Sequence, residues 1–422
     1  MSTDLPPERR TAPTPHAVRA AWAVFVVFVV AGIGMATWAS RIPAVRDGLG
    51  FSEAEMGVLL LTGAIGSLVA LPLSGMIASR IGAGRTCVSF AALAAAGFAV
   101  ATLAVEGDHA MLVRVGLFLG GMGVGIWDAA MNLEGAVVEQ RLGRSVMPRF
   151  HAGFSLGTVA GAGIGAVAAH AGASLPGHVI TVMVIDLLVV VACVRFFEPT
   201  ADAAAAGAPA PDPQADPATA VDTGTGHTLR DTLATWREAR TLLVGLVVLA
   251  AALTEGAAND WVSLAVVDGF GTDDSVGAIG LAIFLCAMTL ARLAGTSLID
   301  RYGRVTMLRV CGAAALVGVV VFALVPTLWV ALAGVAVWGA GAALGFPLGM
   351  SAASDDPKRA ALRVSVVSTV GYSAFFVGPA LIGFLAEHVG YRDALLVLAV
   401  PVAVGLLVAG AAKPLDAARE PA

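Results

Sequence analysis

Few residues in this chain offer chemistry, and those few sit among apolar neighbours. Asp128, Asp186, Glu255 and Arg292 each stand deep inside an apolar run. An ionised side chain at the centre of a membrane helix costs on the order of 2.5 to 3.5 kcal/mol, so such residues are functional candidates by default. Asp128 has Asn132 one helical turn later on the same face, and Glu134 roughly a third of a turn round. An acid and an amide on one face can bind a hydroxyl or hold a proton, or simply tie one helix to its neighbour. Glu255 repeats the arrangement in the second half of the chain with Asn259, and Asp260 and Trp261 lie further round. The expected proton carriers are Asp128, Glu255 and Glu134. The expected solute contacts are Asn132, Asn259, Trp38, Trp127, Trp261 and Arg41. The tryptophans would stack on a ring, although Trp38 and Trp261 could equally anchor the membrane interface. Arg41 either snorkels to headgroups or turns inward as a fork of donors. Asp260 reads as a solvated or capping residue nearer the outer end, and Asp186 as a structural or coupling residue.

Composition decides what must position these groups. Of 422 residues 58% are apolar and only 13% charged, about half the charge of a soluble domain. Lipid must cover most of such a surface, which excludes soluble enzymes. A net charge of -5 gives no electrostatic reason to track nucleic acid. Cys87, Cys193, Cys286 and Cys311 lie in or beside apolar runs without a C-x-x-C pair, as small packing residues do. The seven histidines are scattered, with no H-E-x-x-H, G-x-S-x-G or Walker-type loop. No metal, cofactor, ATP site or enzymatic activity is therefore expected.

A span needs about 20 apolar residues. Twelve such runs fall near 20–42, 54–78, 86–105, 111–138, 147–169, 175–197, 241–267, 275–299, 305–325, 329–350, 364–385 and 394–411. The predicted class is an all-α integral membrane protein. Its organisation is a tail over 1–17, a six-helix bundle over 18–197, a linker over 198–240, a second bundle over 241–411 and a tail over 412–422. With the N-terminus inside, 20 of the 25 Lys and Arg fall on the cytoplasmic side, so both termini are expected there. The linker is rich in Ala, Pro, Asp and Gly and cannot bury a core. After it, Leu229, Leu233 and Trp236 follow helical spacing, as in a short helix on the membrane surface or beneath the bundle.

Signals recur between the halves. Trp38-Ala39-Ser40 answers Trp261-Val262-Ser263, and Ala169-His170-Ala171-Gly172 answers Glu387-His388-Val389-Gly390. After the second span the chain runs from Gly75 through Ser79, Arg80 and Gly82, and after the eighth from Thr296 through Asp300, Arg301, Gly303 and Arg304, both on a G-x-x-x-D-R-x-G-R template. Arg149 and Arg363 each stand eight residues before a glycine, Gly157 and Gly371. Over essentially its whole length the chain resembles the major facilitator superfamily. The fourth-span segment Gly125 to Gly135 is similar to fucose-permease-like proton symporters, where an acid precedes Asn by four. The runs Trp38 to Pro43 and Met147 to Gly157 are similar to a rhizopine-transport-protein-like subgroup.

The resemblance implies two pseudo-symmetric six-helix bundles, alternating access between them and a monomer in a bacterial-type cytoplasmic membrane. The charged loops then read as a cytoplasmic gate of Gly75, Arg80, Arg85, Arg149, His151, Arg292, Asp300, Arg301 and Arg304. Gly153, Gly157, Gly161 and Gly165 make a stripe for close helix packing, and Gly378-Pro379 is expected to bend the eleventh span. The expected function is proton-coupled transport of a small polar organic solute such as a sugar, polyol or inositol derivative. The alternatives are proton-driven export of amphipathic compounds, or a non-transporting sensor or scaffold.

Overall fold

A computed structural model describes residues 14–142, 146–197, 234–356 and 359–415. The tail and linker segments at 1–13, 198–233 and 416–422, with Leu229 and Leu233 among them, lie outside the described residues.

Among the described residues, twelve helical stretches are long and apolar enough to cross a membrane. The first is a helix over Pro15–Ser40 extended by a second over Ile42–Leu49, followed by spans at Glu53–Ile81, Ala83–Glu106, Ala110–Leu142, Met147–His170 and Leu175–Cys193. The second half opens with Ala239–Phe270, Asp274–Tyr302 and Arg304–Leu324. The tenth span is broken into Leu328–Ala342 and Gly345–Ala353, and the eleventh into Ala360–Tyr372 and Ala374–Val389. The last begins at Tyr391 and runs to Ala412 through short helical turns. An even number of crossings puts both described ends on one side, called here the terminal side; the opposite side is the far side.

Local chemistry places the ends. Thr14 caps the first span, starting the helix at Pro15, two residues before the expected end of the tail. Ser52 and Glu55 form a capping box on the second. The paired turns after the second and eighth spans have the same backbone, with Gly82 at φ 86°, ψ 151° and Gly303 at φ 80°, ψ 158°. A side chain there would be strained, so the glycines of both template copies are required by one turn geometry. The eleventh span is interrupted at Ser373 and carries Pro379 inside its second part. A helical proline removes one hydrogen bond and crowds the carbonyl four residues back, here that of Phe375.

Within each half the spans pack as a bundle, the first against the fifth and the third against the fourth, with the ninth against the tenth and the seventh against the eleventh in the second half. The glycine stripe of the fifth span explains the closest of these. A Cβ at Gly157 would overlap the carbonyl of Val29, and one at Gly161 would lie 2.5 Å from the carbonyl of Ile33, so only glycine lets these backbones meet. The two halves meet along two seams, the fifth span on the eighth and the second on the eleventh.

Candidate functional site: a cavity between the halves

Between the seams lies a cavity of about 490 Å³ lined from both halves, the size of a small-molecule site. Asp128 reaches its wall from the fourth span, and Asn259 and Asp260 from the seventh. Rings fill much of the rest, among them Trp38, Phe98 and Trp127 from the first half and Tyr372 and Phe375 from the second. Trp38 leans on Phe98, their centroids 5.3 Å apart. Tyr372 and Phe375 flank the break in the eleventh span, so the interruption brings two rings to the wall. Asn132 turns back one helical turn and donates to the main-chain oxygen of Asp128 at 2.9 Å. The Asn132 amide is also within hydrogen-bond reach of the Asp128 carboxylate, which itself meets the cavity.

Other expected site residues stand elsewhere. Glu255 is off the wall: Arg292 donates to its Oε2 at 2.7 Å and to the carbonyl of Ala343, at the break in the tenth span, at 3.0 Å. The expectation of Glu255 facing Asp128 across the cavity is thus replaced by Asp260, which was expected nearer the outer end. The reason is rotation: Gly256, Asn259 and Asp260 share one helix face at spacings of three and four, and Glu255 lies about 100° round from Gly256. Glu134 is 1% exposed and does not line the cavity. Trp261, expected to stack on a solute, is fully buried against Tyr391 at 5.6 Å between centroids. Arg41 is 5% exposed and donates to the carbonyl of Ala173 at 2.9 Å, so its fork points to the turn between the fifth and sixth spans. Asp186 is 3% exposed behind the wall, and its Oδ2, which has no hydrogen-bond partner, would lie 2.8 Å from a Cβ at Gly34.

On the far side the halves are joined directly. Arg46 at the end of the first span pairs with Asp268 at the end of the seventh and lies over the Tyr391 ring at 5.9 Å. The Glu387 carboxylate accepts from the main-chain N–H of Ala54 at 3.1 Å. Beneath them Gly57 meets the eleventh span so closely that a Cβ would lie 2.6 Å from the carbonyl of Pro379. These residues were absent from the expected site, because no local pattern marks two charges that meet across a seam.

The expected gate residues of the terminal side lie mostly at its surface. Arg80, Arg85, Arg149, His151, Asp300 and Arg301 are exposed, and a Cβ on Gly75 would meet open space. Arg304 pairs with Asp355 at 2.9 Å within its own half.

A profile of the Major Facilitator Superfamily matches residues 24–355 and 244–422. Among curated proteins the chain is 33% identical over 368 residues to the uncharacterized transporter y4wD of Sinorhizobium fredii, covering 86% of this chain and 90% of the relative. It is 28% identical to the membrane protein MosC of Rhizobium meliloti, covering 92% of this chain and 88% of that one. Among solved structures the nucleoside transporter NupG superposes with a TM-score of 0.68 at 15% identity, over 95% of this chain and all of the other. The transporter FucP in its outward conformation gives 0.61 at 14% identity, again over 95% and 100%. Twelve spans in two six-helix halves, the paired glycine turns and these matches make the chain a member of the Major Facilitator Superfamily, a multi-pass membrane protein of the transporter fold.

Proposed function

We propose that the chain is a proton-coupled secondary transporter that moves a small polar organic solute through the central cavity by alternating access. The single observation that carries this reading is a cavity walled by both halves, with the carboxylates of Asp128 and Asp260 on its wall and cross-half contacts on the far side. A group that can hold a proton where both halves meet links protonation to their relative movement. With the arginine-rich terminal side as the cytoplasmic side, the far-side seal is external and the cavity is reached from the cytoplasm. The membrane is then a bacterial-type cytoplasmic membrane, and a monomer suffices because both walls come from one chain. The fold neighbours include a nucleoside transporter and a fucose:proton symporter, which supports a polar solute and a proton as cargo. The aromatic share of the wall favours a second reading, proton-driven export of an amphipathic compound.

The test is flux in proteoliposomes for a solute first found by thermal-shift screening, with and without an imposed pH gradient. The gradient should drive net flux in the wild type, and Asp128→Asn should lose that dependence. Unchanged dependence in the variant would remove Asp128 from the coupling.

A further inference from the structure

We infer that the solute is a small organic monocation, its protonated amine drawn to the carboxylates of Asp128 and Asp260 on the cavity wall and its body against the aromatic wall; this rests on the alternating-access reading above. The charge on the wall is one-sided. Asp128 and Asp260 line the cavity, and no Lys, Arg or His is among the described residues that do so. The two arginines within the spans that could neutralise them are engaged elsewhere, Arg292 by Glu255 and the Ala343 carbonyl, and Arg41 by the Ala173 carbonyl. Two carboxylates without a cation in a low-dielectric hollow invite one.

The remaining wall narrows the class. An anion would face two like charges, which excludes it. A neutral polyol carries many oxygens that need donors, and apart from the ring-borne N–H and O–H groups the wall offers chiefly Ser67 and Asn259. Rings are abundant by contrast, and the faces of Trp38, Trp127 and Tyr372 attract a cation as well as covering apolar surface. The indole N–H of Trp127 is buried without a partner, leaving one donor for a solute oxygen. Asp128 belongs to the first half and Asp260 to the second, so a cation attracted by both favours the halves drawing together. Occupancy and closure are thereby linked through charge.

The experiment compares matched probes on the purified full-length protein by thermal shift: phenethylamine against 2-phenylethanol, and glucosamine against glucose. Each pair differs in bearing an amine or a hydroxyl at one position. In at least one pair the amine should raise the melting temperature by about 2 °C or more at saturation while its alcohol does not. Asp128→Asn and Asp260→Asn should each weaken that binding about tenfold. Their unliganded melting curves report whether the variants fold, and equilibrium dialysis of the labelled amine gives affinity independently of melting. The inference is overturned if the alcohols bind as well as the amines, if neither amine binds, or if both variants keep wild-type affinity. Equal binding by an alcohol would leave the transporter reading standing. That reading falls separately, if the two sides never exchange access.

Discussion

The two sides of the molecule use the same kinds of residue for opposite ends. On the far side two charged contacts cross between the halves, Arg46 to Asp268 and Glu387 to the main chain of Ala54, beside others such as Arg41 to Ala173 and Arg392 to Val325 that stay within one. On the terminal side the ion pairs seen among the described residues stay within one half. Asp355 takes Arg240 at 2.8 Å and Arg304 at 2.9 Å, tying the starts of the seventh and ninth spans to the end of the tenth. Glu238 takes Arg359 and Arg363 at the foot of the eleventh span, while in the first half Glu139 accepts from the N–H groups of Val146 and Met147 at 2.6 and 2.8 Å. The terminal-side networks hold each bundle together and survive any rocking of one bundle on the other. The far-side contacts must break when that side opens. A partly exposed ion pair is worth about 0–1 kcal/mol, a suitable scale for a latch that yields.

The largest disturbance of this contrast should come from Gly57→Leu. With a Cβ already 2.6 Å from the Pro379 carbonyl, the larger side chain holds the second and eleventh spans apart, at about 1–3 kcal/mol. That strain shifts the open ratio of the far side roughly five- to 150-fold. A cysteine at Leu60 on the cavity wall, in a background without the four native cysteines, should then label rapidly from the far side with an impermeant maleimide. Asp355→Asn comes next and acts on the other side. It takes the charge from a carboxylate shared by two arginines and should cost about 1–3 kcal/mol, lowering the melting temperature by several degrees with far-side labelling unchanged. Arg46→Ala should cost stability little and raise far-side labelling about two- to fivefold, the equivalent of roughly 0.5–1 kcal/mol. The exchange of charges in Arg46→Asp with Asp268→Arg should restore it.

The smallest effect is one of pH. Burial pushes the Glu238 carboxyl up, but hydrogen bonds from Arg363 and Thr241 and the charges of Arg363 and Arg359 outweigh it and hold the group below its ordinary 4.5. A depressed carboxylate adds stability above its unfolded value and loses it as pH falls through the lower folded value. Melting curves of the wild type should therefore fall more steeply below about pH 4.5 than those of Glu238→Gln.

The spans were legible in the sequence because the length of an apolar run follows directly from bilayer thickness. The repeat was legible because one turn geometry demands glycine at both Gly82 and Gly303. Facing was not. Glu255 and Asp260 stand five residues apart on one helix, and only the packing of the seventh span decides which of them meets the cavity. Trp38 and Trp261 occupy matching places in the repeat, yet the first lines the cavity and the second lies buried against Tyr391. Partners that meet across a seam, such as Arg46 and Asp268, carry no local signal, because their meeting depends on how two separate bundles dock.

In alternating access one cavity serves two sides in turn. Paired spin labels test it directly, one pair at Glu106 and Thr327 on the far-side ends and another at Ile81 and Tyr302 on the terminal-side ends. Distances should be measured in lipid for the otherwise unaltered chain and for Gly57→Leu. Opposed changes are expected, the far-side pair moving apart as the terminal-side pair draws together. Distances that stay fixed in both pairs, or that lengthen together, would contradict alternating access.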